Sequence, residues 1–375
     1  MQNLFGILYF ESTRRCNLNC PYCSTGSNQN NKVFADLSLD QIQRRILKPA
    51  IELGTRVVNF SGGEFLLRQD AMELLRISRE MGFSLSMATN GILLDESKLD
   101  EILEAAGPDI VISFGINSFD ADNPLTRETE WEFVMSKVEL LQRYHVRTNI
   151  SITMGQFNKA TFAETARRIA DMGLPFNRIP FVPRSCNRHE LMPDRTAMRQ
   201  FFHPVLLKHY QGSSSYTPCF LDPADYENLS MQSLDDFPVP VNPPTGCWVG
   251  AYYAINPEGD VSPCPMFLDQ VKASNILRQD LKEILFESDL FIRMLKREEL
   301  GGKCGPCRFN KTCGGCRVLA YFRTGDPFGE DPLCFIDELS SGELEEMVKE
   351  TSKSFRNYLR MVYFGGLYQP PRDSH

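Results

Sequence analysis

The chain has 375 residues, of which 42% are hydrophobic and 23% charged, the composition of an ordinary soluble globular protein. Its net charge of −8 argues against nucleic-acid binding, which requires a basic surface, and no apolar stretch reaches the roughly 18 residues of a membrane span. The first residues carry no basic segment ahead of their short apolar run, so they do not resemble a secretory signal. We therefore predict a cytoplasmic protein whose twelve cysteines are reduced and available for metal.

Short runs of β-branched and aromatic residues alternate with helical patterns in the first half of the chain. Strands are predicted at 4–10, 56–60, 84–88, 109–114, 148–153 and 177–182, and helical patterns include 38–53, 70–81 and 130–144. This alternation predicts right-handed crossovers and a parallel sheet. Six strands are too few for a closed eight-unit barrel. The predicted fold is therefore α/β, a partial (β/α)6 TIM-like barrel.

The alternation stops near residue 185, which suggests a different organisation for the rest of the chain. We predict a partial barrel over 1–185, a linker covering the substrate over 186–246, a small cysteine-rich domain over 247–340, and a C-terminal helix and tail over 341–375. The cysteine-rich stretch shows little helical pattern, whereas 341–364 is amphipathic. Arg184, Arg188, His189, Tyr210 and Tyr216 lie at 184–246, a segment expected to cover the open side of the barrel. They are candidates to line the pocket, but most of them are expected in a hydrated surface loop.

Three cysteines, Cys16, Cys20 and Cys23, follow the first predicted strand within eight residues. Loops at the carboxyl ends of parallel strands form the active-site edge of such sheets. Three thiolates on one tight loop can hold three irons of a cubane cluster and leave the fourth iron open to an amine and a carboxylate. The alternative is a zinc site that takes its fourth ligand from elsewhere.

A second motif, "FSGGEFLL" (60–67), follows the second predicted strand. Gly62 and Gly63 allow a ligand to approach the backbone closely, and Glu64 can accept a hydrogen bond from an ammonium group. With CxxxCxxC one strand earlier, residues 4 to about 185 resemble the radical S-adenosylmethionine (SAM) superfamily. The resemblance implies that the open iron binds the methionine part of SAM and that the Gly-Gly-Glu loop binds its amino group.

The same resemblance implies further SAM contacts. Asn90 of "TNG" (89–91) is expected to shape the site, and Arg127 matches the arginine of the family pattern "SxDG…R". Asn117 occupies the aspartate position of that pattern and Gly115 the serine position, unless Ser113 or Ser118 replaces the serine. Asn149 is expected to contact the ribose. The alternatives are a solvated helix-start arginine for Arg127 and a neighbouring backbone partner for Asn149.

Seven cysteines between 247 and 334 resemble the SPASM extension of certain radical SAM enzymes, although Cys313 and Cys316 are separated by two residues where many members have three. The resemblance implies two auxiliary [4Fe–4S] clusters, the first bound by Cys247, Cys264 and Cys316 and the second by Cys304, Cys307, Cys313 and Cys334. Cys219 is the better candidate for a fourth ligand of the first cluster; Cys186 is the other remaining cysteine. Two zinc sites are the alternative.

The resemblance implies an enzyme with SAM and three [4Fe–4S] clusters, reduced by a flavodoxin- or ferredoxin-type partner. A 5′-deoxyadenosyl radical would abstract hydrogen from an unactivated C–H bond, and the auxiliary clusters would oxidise the substrate radical. The expected substrate is a ribosomally made peptide. The alternative is a small molecule, with the enzyme acting as a tetrapyrrole side-chain decarboxylase or oxidase or as a sugar-alcohol dehydrogenase. No residue is identified as the acid or base, and Pro265 replaces the aspartate that follows the corresponding cysteine in sulfatase-maturing members.

Overall fold

The computed structural model describes residues 4–28, 36–120, 128–184, 188–208, 217–230 and 246–364, with the side chains of 227–230 and 356–364 excepted. Its sheet has nine strands in the order β6-β5-β4-β3-β2-β1-β7-β8-β9. The strands are β1 (Ile7–Glu11), β2 (Val57–Ser61), β3 (Ser84–Ala88), β4 (Val111–Gly115), β5 (Arg147–Met154), β6 (Phe176–Pro180), β7 (Tyr252–Ile255), β8 (Asp260–Ser262) and β9 (Ser274–Asn275).

The first six strands confirm the predicted partial barrel. Neighbouring strands from β1 to β6 pair in parallel. β6 lies at one edge of the sheet, and the other neighbour of β1 is β7. The sheet is therefore open, and the carboxyl ends of β1 to β6 lie at the same end of the strands.

Helices connect these strands. In chain order they are α1 (Leu39–Ile42), α2 (Lys48–Glu52), α3 (Ala71–Glu80), α4 (Glu96–Ala106), α5 (Trp131–Arg143), α6 (Phe162–Asp171), α7 (Arg195–Ala197), α8 (His203–Lys208), α9 (Pro223–Ser230), α10 (Leu281–Glu287), α11 (Asp289–Lys296), α12 (Arg317–Thr324) and α13 (Ser341–Phe364). π-helical turns over Gln43–Leu47 and Met198–Phe202 join α1 to α2 and α7 to α8. Capping defines several starts: Ser38 and Gln41 form a capping box, and Asp95 accepts from the Lys98 backbone N–H at 2.8 Å.

The parallel strands have two different faces. Phe60, Met87, Ile112 and Ile150 are fully buried on one face, where the amphipathic helices α3, α4 and α5 bury their own apolar residues. The opposite face of β2 to β6 carries small polar residues among a few apolar ones. The strand register pairs the polar residues as Asn59–Ser86, Ser113–Asn149 and Ser151–Asn177, and the apolar residues of this face are Val57, Ala88, Val111 and Ile179. Parallel strands buried on both faces are normally apolar throughout. The polar face therefore indicates a surface available to a ligand.

The second half of the chain differs from prediction. β7 pairs in parallel with β1, β8 and β9 extend the sheet in antiparallel pairs, and α10, α11 and α12 lie in a stretch predicted to have little helical pattern. That prediction was wrong for the helices, which have seven or eight residues each, whereas the strands, of two to four residues, are too short to show a period. β7 is identified as a strand by its pairing with β1, which lies about 245 residues earlier.

The described residues form two compact units. One comprises the chain up to Pro193 together with Trp248–Glu299, and it contains the whole sheet. The other comprises Asp194 to Ser230, Gly246, Cys247 and Leu300 to Phe364. In this second unit α13, the predicted C-terminal helix, packs on α8, where the Ser354 hydroxyl donates to the Leu207 carbonyl at 2.8 Å. The domain boundaries given above stay a prediction. Across the described part of the chain, every helix is too short or too polar to cross a membrane.

Candidate active site

The first three cysteines lie on a loop that follows β1. The Cys23 backbone N–H donates to the Cys20 carbonyl at 3.0 Å, which folds the loop into a turn. The Cys23 Sγ lies 3.1 Å from the Thr25 hydroxyl. All three thiols are partly exposed, so the loop can present them to a bound group.

The Gly-Gly-Glu loop is bonded to the stem of the cysteine loop. The backbone N–H groups of Gly63 and Glu64 each donate at 2.8 Å, to the carbonyls of Thr13 and Arg15 respectively. A Cβ added at Gly63 would lie 2.2 Å from the Arg15 carbonyl oxygen, and one at Gly62, where φ is +142°, would lie 2.5 Å from that of Thr13. The close approach that requires these glycines is therefore one of backbone on backbone, and it holds the two loops together.

Glu64 joins the end of β2 to the end of β3. Its carboxylate is fully buried and accepts from the Thr89 hydroxyl at 2.9 Å and from the Asn90 backbone N–H at 2.8 Å. The backbone N–H of Leu66 donates to it at 3.1 Å, which starts the short turn Phe65–Leu67. The predicted ligand of an ammonium group is thus positioned by three protein donors.

Asn90 completes the convergence of the three motifs. Its side-chain amide donates to the Asn17 side chain at 2.7 Å and lies 4.0 Å from the Cys16 Sγ. Its Oδ1 accepts from the Ile92 backbone N–H at 3.0 Å, so both ends of the amide are oriented. The segments following β1, β2 and β3 therefore form one hydrogen-bonded site.

The other predicted SAM contacts have separate positions. Asn149 on β5 donates to the Ser113 hydroxyl on β4 at 3.4 Å, and both lie on the polar face. Asn117 is buried, and its Oδ1 accepts from the Thr153 backbone N–H at 2.9 Å, so this amide fixes the loop after β4 to β5. Ser118 is buried and accepts from the Asp120 backbone N–H. Arg127 lies outside the described residues.

Sequence reasoning missed a buried ion network at the end of β1. Arg184 forms a two-point ion pair with Glu11, with nitrogen–oxygen distances of 2.6 and 2.7 Å. Arg184 also bonds Asp269 at 2.7 Å, and Arg14 pairs with Glu11 and Asp269. Arg184 is 3% exposed, so it is not one of the residues of 184–246 that lie in a hydrated surface loop. A charged residue at the end of a strand was the available signal, but its partners lie far away in sequence.

The network alters the acidity of Asp269. Burial on its own would raise the pKa of this carboxyl group, but the charges of Arg184 and Arg14 outweigh that effect and lower the pKa to about 2. Asp269 is therefore ionised throughout the physiological range. The network joins the stem of the first cysteine loop, through Arg14, to the segment that follows Cys264.

Four cysteines of the second set surround one cavity in the second unit. The cavity has an empty volume of about 330 Å³, open mouth included, and its lining includes Cys304, Cys307, Cys313, Cys334, Asn310 and Asp331. These are the four cysteines predicted to bind the second auxiliary cluster. Across the described residues, no three His, Cys, Asp or Glu side chains converge as ligands of a single ion would.

The chemistry of these thiols fits an iron–sulfur cluster. Burial raises the pKa of Cys334 to about 12 and raises the pKa values of Cys304 and Cys313 as well. In the first loop, burial raises the pKa of Cys16 to about 11, with smaller contributions from the neighbouring thiols and Glu64. Such thiols keep their protons at neutral pH unless a metal replaces them. Soft sulfur donors around a cavity of this size suit a polynuclear iron–sulfur group.

The remaining cysteines occupy distinct surroundings. Cys264 belongs to the first unit, where its Sγ lies 3.3 Å from the Tyr252 hydroxyl. In the second unit the Cys247 backbone N–H donates to the Cys313 carbonyl at 2.7 Å. Cys219 is buried beside Leu221, and its backbone N–H donates to the Cys313 Sγ at 3.3 Å. The assignment of Cys247, Cys264 and Cys316 to one cluster, with Cys219 as its fourth ligand, stays a prediction.

Known proteins share this organisation. An AdoMet-dependent heme synthase of Methanosarcina barkeri is 27% identical over 89% of this chain and 97% of its own length. A PqqA peptide cyclase of Gluconobacter oxydans is also 27% identical, over 94% of this chain and 97% of its own. The crystal structure of Streptococcus suis SuiB bound to S-adenosylmethionine has a similar fold, with a TM-score of 0.65 at 18% identity over 89% of this chain and 78% of that one. SuiB has also been solved bound to its precursor peptide SuiA.

Two family models match the two regions of the chain that carry the predicted cysteine motifs. Residues 10–169, which contain the first cysteine loop and the Gly-Gly-Glu loop, match the radical SAM superfamily. Residues 247–316 match the SPASM family, described as an iron–sulfur cluster-binding domain. The chain therefore belongs to the radical SAM superfamily and carries a C-terminal SPASM domain.

Proposed function

We propose that this enzyme uses a SAM-derived radical to oxidise a ribosomally made peptide. When bound, SAM and the clusters supply the 5′-deoxyadenosyl radical that abstracts hydrogen from an unactivated C–H bond and the acceptor for the electron that leaves the substrate. A flavodoxin- or ferredoxin-type protein is the proposed reductant. The chain itself has to hold the clusters, orient SAM and exclude water.

The convergence of three loops is the observation that carries the proposed chemistry. Cys16, Cys20 and Cys23 are the proposed ligands of the SAM-binding cluster, and their loop is held by backbone bonds from the Gly-Gly-Glu loop and by the Asn90 side chain. Glu64, held by three donors at the same edge, is the proposed partner of the SAM ammonium group. Ser113 and Asn149 would then contact SAM from the polar face.

The polar face of β2 to β6 supports a peptide substrate. Its hydroxyl and side-chain amide groups match the N–H and C=O groups of a peptide backbone. A tetrapyrrole with carboxylate side chains would instead require cationic partners. Among the described residues of β2 to β6, Arg147 is the one lysine or arginine on this face, and it lies at the exposed start of β5, where it donates to the Asp109 carbonyl.

The relatives favour two substrate classes. The PqqA peptide cyclase, and the likeness in fold to a SuiB structure that holds a precursor peptide, support the peptide. The heme synthase has the same identity to this chain, so a tetrapyrrole is the second candidate. The neutral polar face leads us to prefer the peptide.

Anaerobic reconstitution with iron and sulfide tests the proposed chemistry. Three cubanes correspond to about twelve irons per chain, and reduced protein should cleave SAM to 5′-deoxyadenosine. Cys16→Ala should abolish this cleavage, because the site loses one of its three anchors, whereas Cys186→Ala, a change at a cysteine with no assigned ligand role, should preserve it. A preparation that holds only zinc and leaves SAM intact would refute the proposal.

Isotope transfer tests the substrate class. A short peptide encoded beside the gene is prepared with deuterated side chains and supplied with SAM and reductant. The proposal predicts deuterium in 5′-deoxyadenosine and, for the unlabelled peptide, a product about two mass units lighter, as expected when two hydrogens leave. Cys313→Ala should retain some SAM cleavage and make no product. Turnover of a carboxylated tetrapyrrole, with the peptide unchanged, would favour the second candidate.

A further inference from the structure

The four-cysteine cavity of the second unit has a buried cation beside it. Arg317 follows Cys316 in the run "CGGCR" (313–317), and only 2% of its surface is exposed. Its Nη2 donates to the Cys304 Sγ at 3.7 Å. Arg317 is not among the site residues predicted from the sequence.

The direct contacts of Arg317 are with carbonyl oxygens and a sulfur. Its Nε donates to the Gly315 carbonyl, and its Nη1 donates to the carbonyls of Pro327 and Gly329. Among the described residues, no carboxylate lies within 4.0 Å of its guanidinium nitrogens as an ion-pair partner. A buried cation without a counter-charge is strongly unfavourable. None of these four direct contacts carries a full negative charge, so a negative group in the adjoining cavity would stabilise Arg317 further.

The nearest buried acid is bonded elsewhere. Asp331 is fully buried, and its carboxylate accepts from the backbone N–H groups of Cys316 at 2.7 Å and Leu333 at 2.9 Å. Its own backbone N–H donates to the Cys304 Sγ at 3.3 Å. Asp331 thus orients a second donor toward the sulfur that Arg317 contacts.

Helix stability does not explain the position of Arg317. It is the first residue of α12, and a cation at the amino end of a helix opposes the helix dipole. Gly315 lies beside the Arg317 guanidinium. Its φ is +59°, and an added Cβ would lie 2.5 Å from Arg317 Nη2 and 3.1 Å from the Cys304 Sγ. The absence of a side chain at position 315 therefore leaves room for the contact between the Arg317 guanidinium and the Cys304 sulfur.

We propose that Arg317 is a positioning residue that supplies the counter-charge of the cluster held by Cys304, Cys307, Cys313 and Cys334, and that it raises the reduction potential of that cluster. The inference rests on the proposed function of this site. A fixed positive charge and hydrogen bonds to a ligand sulfur both stabilise the reduced, more negative form. The cluster would then accept an electron from the substrate more readily.

A redox titration of the reconstituted enzyme, followed by electron paramagnetic resonance, tests the proposal. Arg317→Met should shift the midpoint potential of one cluster signal to more negative values and leave the others in place. Arg317→Lys, which keeps the charge, should restore most of the potential. Arg323→Met is the matched control, because Arg323 is exposed on the same helix, and it should shift nothing.

The possible outcomes distinguish the role of Arg317 from the proposed function of the enzyme. Unchanged potentials in an Arg317→Met protein with full iron content would overturn the role of Arg317 while leaving the proposed function intact. Iron-free wild-type protein would instead refute the proposed function. If Arg317→Met loses one cluster, Arg317→Lys should regain it and the neutral Arg317→Gln should not. Equal iron content in the Lys and Gln variants would overturn the proposal that Arg317 supplies the counter-charge of the cluster.

Discussion

Arg184 and Arg317 are buried to nearly the same degree, at 3% and 2% exposure, but their charges are balanced in different ways. Arg184, in the first unit, contacts two carboxylates, Glu11 and Asp269. Arg317, in the second unit, contacts backbone carbonyls and the Cys304 sulfur. Burial alone would have placed these two arginines in one class.

The way in which each buried charge is balanced distinguishes a structural ion pair from a ligand site. A buried ion pair that is complete within the protein fixes its elements in place and needs no bound group. A buried charge whose partner is missing indicates that the partner is supplied on binding. By this criterion Arg184 holds the end of β1 against the segment after β6, whereas Arg317 is proposed to serve a cluster bound in the four-cysteine cavity.

The largest expected effect comes from breaking the complete ion pair. Arg184→Met leaves Glu11 and Asp269 without their main partner, and removing one member of a buried pair costs about 3–5 kcal/mol. Anaerobic urea unfolding of the first unit should show this loss in the free energy of unfolding. Arg167→Met is the control: Arg167 pairs with Glu164 and Asp171 on the exposed face of α6, so its removal should leave the midpoint unchanged.

A double-mutant cycle checks the cause of that loss. Glu11→Gln combined with Arg184→Met removes both charges, so it should be less destabilising than the sum of the two single changes. Strict additivity would show that Arg184 stabilises the protein through packing of its side chain rather than through its charge.

An intermediate effect is expected where the Arg317 contact is crowded. Gly315→Ala and Gly325→Ala both place a side chain at positive φ, +59° and +79°, but only the first meets neighbouring atoms within 4 Å. Gly315→Ala should cost about 1–3 kcal/mol of stability and lower the iron content. Gly325→Ala should show the backbone strain alone and keep its iron. Equal iron content in the two variants would show that the contact between Arg317 and Cys304 tolerates displacement.

The smallest of the three effects is a pH dependence confined to the first network. The folded pKa of Asp269 is about 2, below its ordinary value of 3.8, so the ion pairs stabilise the fold fully above about pH 4, and this contribution is lost as pH falls toward 2. After allowance for partial exposure, the contribution is about 1–2 kcal/mol. The free energies of unfolding of wild type and Asp269→Asn, compared between pH 5 and 2.5, should converge at the acid end. A constant difference across that range would contradict the assignment.

The features predicted correctly from the sequence are those with a local pattern of residues. The six strands of the partial barrel were found within a few residues of their observed bounds, because each run of β-branched and aromatic residues lies beside its own amphipathic helix. The cysteine loop and the Gly-Gly-Glu loop were identified with their place after β1 and β2. The reason for the glycines was not predicted, because the carbonyls that crowd Gly62 and Gly63 belong to another loop.

The spacing of residues within short segments, by itself, determined the alternation of strand and helix, the tight loop of three thiols and the cysteine pattern of the SPASM domain. Tertiary structure alone decided which charges are balanced within the protein. Glu11 meets Arg184 across 173 residues, and Arg184 meets Asp269 across 85. Burial makes such charges costly unless they are paired, and packing of distant segments decides which partner each one receives.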